Sequence, residues 1–186
     1  MNSVRNLRQY PAGLPLLSED LVEFHAARLL LLLKKCGKKG KIDGLTKLAK
    51  LDFFVRYPVF FARACKEFGE AQPKVERTIE SNMVRHHYGP WDHRYYHVLA
   101  YLEAKQLISV TREKGKSFIF VLTEGGMAAA ERLAATAAFQ EQAALMQRVK
   151  EVLGDKKGTA LKELVYRLFE REVADRKLGE VIDSDS

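Results

Sequence analysis

The stretch WDHRYYHVLAYLEAKQLISVTREKGKSFIFVLTEGG, residues 91–126, decides how the chain is read. Asp92 is placed to cap a helix over His93–Gln106, in which Val98, Leu99 and Leu102 recur at helical spacing. Leu107–Thr111 then alternates as a strand, Glu113–Lys116 is a turn, and Ser117–Leu122 returns as a second strand rich in aromatic and β-branched residues. Thr123-Glu124-Gly125-Gly126 opens another helix, from about Met127 to Leu153, whose alanines favour it. Upstream, Met83–Pro90 leads into Trp91.

Helix, strand, turn, strand and helix is the order of a winged helix. The expected fold is mainly α with a small β-hairpin: a winged-helix domain with extra N- and C-terminal helices. Around it, two prolines and a glycine mark residues 1–18 as an extended arm. Ser18 is placed to cap a helix over residues 19–36, where Leu29–Leu33 leave little polar face and imply complete burial. Gly37 and Gly40 stop it, with solvated lysines between them. A second helix opens after Asp43-Gly44 and carries a stripe of Leu45, Leu48, Leu51 and Phe54, with Lys47 and Lys50 outside that stripe. Pro58 starts a third helix to Phe68, and residues 69–82 read as an irregular loop. Gly154 ends the alanine-rich helix and Thr159–Lys177 forms the last one. The domain division expected is an arm (1–18), a winged-helix core with a helical insertion (19–153), and a C-terminal helix with an acidic tail (154–186).

Composition narrows the class without naming a function. With 186 residues and 47% hydrophobic content the chain can bury a core without staples. Cys36 and Cys65 are too few for a disulfide framework, which makes a reducing cytoplasm the expected compartment. Five consecutive leucines cannot cross a bilayer, so no membrane partner is expected. The formal charge of +7 is concentrated: Lys34, Lys35, Lys38, Lys39, Lys41, Lys47 and Lys50 share one segment with a single acid, Asp43. Lys34, Lys35, Lys38, Lys39 and Lys41, with Arg112, Lys114 and Lys116 on the wing, are the candidate contacts to a DNA backbone. Trp91, Arg94, Tyr95 and Tyr96 are the candidate partner anchors, since Trp, Tyr and Arg dominate interface hot spots. The competing reading gives Trp91 and the tyrosines to the core.

Catalytic patterns are weak. His93 and His97 stand four apart beside His86-His87, a spacing that can share a metal, but a third ligand and a supporting shell are missing from the pattern. Cys65 has no nucleophile signature around it. Gly37-Lys38-Lys39-Gly40-Lys41 lacks GxxxxGK[ST] and follows no expected strand, which argues against an NTP loop. Asp43, Asp52 and Asp92 are scattered along the chain, so a Mg²⁺-dependent nuclease site is not expected. No cofactor is called for, and the chain is not expected to be an enzyme.

The strings LTKLAKLDFFVRYPVFFARA, SNMVRHHYGPWDHRYYHVLAYLEAKQLI and FVLTEGG together resemble the small middle components of bacterial ABC-three-component defence systems, the Lamassu type in particular. The resemblance covers about residues 22–180 and rests on LDFFVRYP and YGPWDHRYY, neither of them catalytic. It implies a non-catalytic winged-helix subunit that bridges an SMC-like ATPase and a nuclease effector in an antiphage or antiplasmid complex. The alternative is a stand-alone winged-helix transcriptional regulator that uses the wing and the lysine-rich segment on DNA.

Overall fold

The computed structural model describes residues 21–73, 83–86, 89–112, 114–170, 173, 175 and 177–182. The arm, Ser18, residues 74–82 of the expected loop, and the last acidic residues lie outside that set. Among the described residues the elements run α1 (Val22–Cys36), β1 (Lys41–Asp43), α2 (Leu45–Arg56), α3 (Pro58–Glu67), β2 (Val84–His86), β3 (Gly89–Trp91), α4 (Arg94–Ala104), β4 (Ile108–Thr111), β5 (Ile119–Leu122), α5 (Glu124–Ala135), α6 (Ala137–Leu153) and α7 (Gly158–Leu168). The molecule is mainly helical, with two small antiparallel sheets.

The expected helix–strand–turn–strand unit is present as α4, β4 and β5, with Ile108 opposite Leu122 and Thr111 opposite Ile119. Its far edge holds a strand that the sequence pattern does not announce. β1 pairs with β5, Lys41 opposite Val121 and Asp43 opposite Ile119, giving the order β1-β5-β4. Three residues with a single buried side chain, Ile42, carry too little alternation to stand out among so many lysines.

Beneath this sheet α1 is the central post. Leu29 to Leu33 are all buried, because α2, α4, α5 and α6 all pack on α1. The alanine-rich segment is two helices, not one. Thr136 is extended (φ −79°, ψ 140°) and its hydroxyl donates to the Leu133 carbonyl at 2.7 Å, so α5 and α6 meet α1 as separate rods. Alanine propensity is overridden there by packing.

α2 differs most from its expected amphipathic form, since every residue from Leu48 to Arg56 is buried, Lys50 included. α1, α3, α6, α7 and β3 surround it. The last helix is also shorter than expected. It stops at Phe169, which turns into an aromatic cluster with Phe53, Phe54 and Phe60, ring centroids 4.7–6.2 Å away. Residues 177–182 do not trail away as a tail. The Ile182 N–H donates to Met83 O (2.8 Å), the Arg85 N–H donates to Glu180 O (2.7 Å), and Ile182 is buried in the same core as α7. Tyr57 locks this join: its hydroxyl donates to Ile182 O and accepts from the Met83 N–H.

Candidate functional site

The N-terminus of α4 sits on a buried ion network. Asp92 accepts the backbone N–H of Arg94 at 2.9 Å, but the helix begins one residue later than expected and its N-cap position is His93, so Asp92 braces the first turn from just outside it. Its carboxylate also takes the Arg94 guanidinium (2.7 Å) and that of Arg56 (2.7 Å). Burial alone would raise the Asp92 carboxyl; the Arg94 and Arg56 guanidiniums outweigh it and hold the group well below the usual carboxylate range. One turn before Arg56, fully buried Asp52 accepts from Arg28 Nε (2.9 Å) and from the Tyr95 hydroxyl (2.7 Å). Burial, followed by the Asp52 charge, pushes the Tyr95 phenol well above its ordinary value. His25 lies between Arg28 (2.9 Å) and Arg94 (2.8 Å). Helices α1, α2 and α4 and Asp92 are thereby joined through charge.

Along the sequence Asp52 and Asp92 read as isolated, yet Arg56 links them, 3.8 Å from the first and 2.7 Å from the second. A signal for this is present in the sequence. His25 and Arg28 interrupt the most apolar helix one turn apart, and Asp52 and Arg56 do the same at i,i+4 inside LDFFVR. A charge set into an apolar stripe needs a buried partner. With guanidiniums on both carboxylates, this is a positioning device for α4.

The candidate anchors divide accordingly. Trp91 and Tyr95 lie in the core, 6% and 1% exposed, their rings edge to face at 5.3 Å. That burial corrects the expectation that these two rings anchor a partner. Arg94 is half-buried, with its guanidinium on Asp92 and His25. Tyr96 alone of the four projects, 64% exposed, with its ring 5.8 Å from Trp91. Its neighbours on the outer face of α4 are His93, His97, Ala100 and Glu103. His93 also meets His86 edge to face at 6.3 Å. Among the described residues no three His, Cys, Asp or Glu side chains gather to hold a metal.

The lysine-rich segment is less of a patch than its sequence suggests. Lys34 pairs with Glu131 at 2.8 Å, Lys47 Nζ donates to Gly154 O (2.6 Å), and Lys50 Nζ donates to Pro90 O (2.9 Å). Lys35 is half-buried, and Lys38, Lys39 and Lys41 are in contact with solvent, with Lys41 3.1 Å from Asp43. On the β4–β5 connection Arg112, Lys114 and Lys116 are exposed. Arg112 folds back, its guanidinium 4.8 Å from the Phe118 ring and its Nε donating to Lys116 O at 3.1 Å. The two basic groups sit at opposite ends of β5: Gly40 O accepts from Leu122 N, while the β4–β5 connection precedes Ile119.

Other chemistry is muted. Burial pushes the Cys36 thiol up to about 12 and raises that of Cys65, so neither is a ready thiolate. An open groove of about 670 Å³ between the end of α3 and α7 is lined by Phe68, Lys156, Glu163 and Arg167 among others, with mixed charge. No described helix is long and apolar enough to cross a membrane. No protein-family model, curated protein or solved structure matches the chain.

Proposed function

We propose that this chain is a non-catalytic winged-helix docking subunit of a cytoplasmic assembly. In that assembly it is the middle component of a Lamassu-type complex, bridging an SMC-like ATPase and a nuclease effector. The topology supports the fold reading: α1, β1, α2, then α4 and a hairpin whose second strand lies between β1 and β4.

The outer face of α4 carries the functional reading. A helix that reads bases aims Arg, Lys, Asn or Gln at their edges. Here the one early arginine, Arg94, has its guanidinium engaged by Asp92 and His25, and the outer face offers Tyr96, His97, Ala100 and Glu103. An exposed tyrosine backed by a buried tryptophan suits a protein anchor better than a DNA groove. The choice of system rests on the LDFFVRYP and YGPWDHRYY strings.

Co-expression with an SMC-like ATPase and a nuclease, followed by size exclusion, tests this reading. Co-elution is expected, with Tyr96→Arg lowering affinity at least tenfold at unchanged stability. A wild-type chain that always elutes alone overturns it. The second reading, a DNA-binding regulator, is favoured by the outward-facing Lys38, Lys39, Lys41, Lys114 and Lys116.

A further inference from the structure

Lys50 is an unusual lysine for its position. It is fully buried in the middle of α2, and its Nζ donates to the carbonyl of Pro90 on β3. Among the described residues, the other charged groups that act on it are Arg85, from β2, and Lys162, from α7, both cations. β3 contributes only Gly89, Pro90 and Trp91. On its own helix, Lys47 is turned to Gly154 O and Asp52 is engaged by Arg28 and Tyr95. On β2, His86 stacks on Trp91. Among the described residues the ammonium therefore has one carbonyl dipole, two repelling neighbours and no carboxylate. A buried charge without an anion is costly, and the cost falls on the protonated form alone.

The hairpin above it is closely fitted. Gly89 has φ +94°, and a Cβ there would stand 3.3 Å from Lys50 Cε. The ribbon also holds the C-terminal segment: the Gly179 N–H donates to Arg85 O and the Arg85 N–H to Glu180 O, each at 2.7 Å.

We propose that Lys50 is a pH-sensitive latch beneath the β2–β3 ribbon: the neutral amine holds the ribbon against α2 and α7, and protonation frees it, together with residues 179–182, toward solvent. Burial first, then Arg85 and Lys162, brings the Lys50 amine down to about 7. With the ribbon open, the hydrated amine returns to its ordinary value near ~10.4. The open form therefore binds the proton more tightly, so acidification favours opening. Opening is greatest below about pH 7 and falls about tenfold per pH unit from there toward ~10. The latch does not depend on the identity of any partner.

The test uses the full chain. Lysine ¹³Cε resonances, with Lys50 assigned by its loss in Lys50→Met, should show one midpoint near 7. Hydrogen-exchange protection of residues 84–91, corrected for intrinsic exchange and read at pH values from about 6 to 9, should rise about tenfold per unit above pH 7. In Lys50→Met that dependence should vanish. A Lys50 midpoint near ~10.4, protection that stays flat with pH, or a pH dependence that survives in Lys50→Met overturns the latch. Should Lys50→Met not fold, direct assignment and the exchange profile of the wild-type chain decide between the same outcomes.

Discussion

Asp52 shows how one residue sets the behaviour of several. It is fully buried and answers Arg28, Tyr95 and, more distantly, Arg56. Asp52→Ala leaves two guanidiniums buried with less compensation, a loss on the order of 3–5 kcal/mol, read as a fall in the urea midpoint at constant slope. Asp92 adds a pH signature. Its folded carboxyl is held below the unfolded value, so its stabilisation is complete above about pH 4 and is lost as the solution becomes more acid. Asp92→Asn should therefore lower Tm at pH 7, and its gap from wild type should narrow by about pH 3 in calorimetric scans. Neither residue is legible in the sequence as part of a site, because separation along the chain hides charges that meet only across helices. Their setting is legible: acids and arginines inside apolar runs mark buried pairs. Trp91 poses the opposite difficulty, since a Trp beside Asp and Arg suits an anchor and a core residue equally, and only the packing of Tyr95 and His86 decides for the core.

At the scale of elements, the stretch from Trp91 to Gly126 is the most readable because its signals agree. A cap, a helical period, a two-residue period and a turn follow one another without conflict, and α4, β4 and β5 form within two residues of the expected bounds. Elements defined by partners are not readable: β1 exists through β5, and the break at Thr136 exists through α1. The two glycines after Thr123 separate local from tertiary demands. Thr123 caps α5 by accepting the Gly126 N–H at 3.0 Å. A Cβ on Gly126 would fall 1.8 Å from the Leu107 carbonyl oxygen, whereas one on Gly125 would meet Thr123 Oγ1 at an ordinary 3.8 Å. Gly126→Ala should cost at least about 1–3 kcal/mol, since α5 must move off the α4–β4 corner. Gly125→Ala should instead be neutral or stabilise by up to about 1 kcal/mol through helix propensity. Parallel urea titrations check the pair, and equal effects would mean that the close approach at Leu107 is not a constraint.

For the whole molecule the deciding question is where its excess positive charge goes. The seven-lysine segment suggests a continuous electrostatic footprint, but folding directs Lys34 to Glu131 and buries the amine of Lys50, while Lys47 caps the end of α6. What remains outside is Lys38, Lys39 and Lys41 at one end of β5 and the cations of the β4–β5 connection at the other. Three strand steps at ~3.3 Å put roughly 10 Å between those ends, a separation that suits backbone phosphates and gives no base readout. On the proposed reading, the outward-facing cations and the α4 face are separable surfaces. Replacing Lys38, Lys39 and Lys41 together by Glu should weaken retention on duplex DNA and reduce the slope of log K against log salt by up to about 3, at roughly 0.9 for each phosphate released. The same triple variant should still co-elute with an SMC-like ATPase, and Tyr96→Arg should show the reverse pattern, with DNA retention unchanged. Fluorescence anisotropy across a salt series, run beside size exclusion on both variants, distinguishes the surfaces. If the lysine variant loses the protein partner while Tyr96→Arg keeps it, docking belongs to the lysine-bearing edge of the sheet and not to α4.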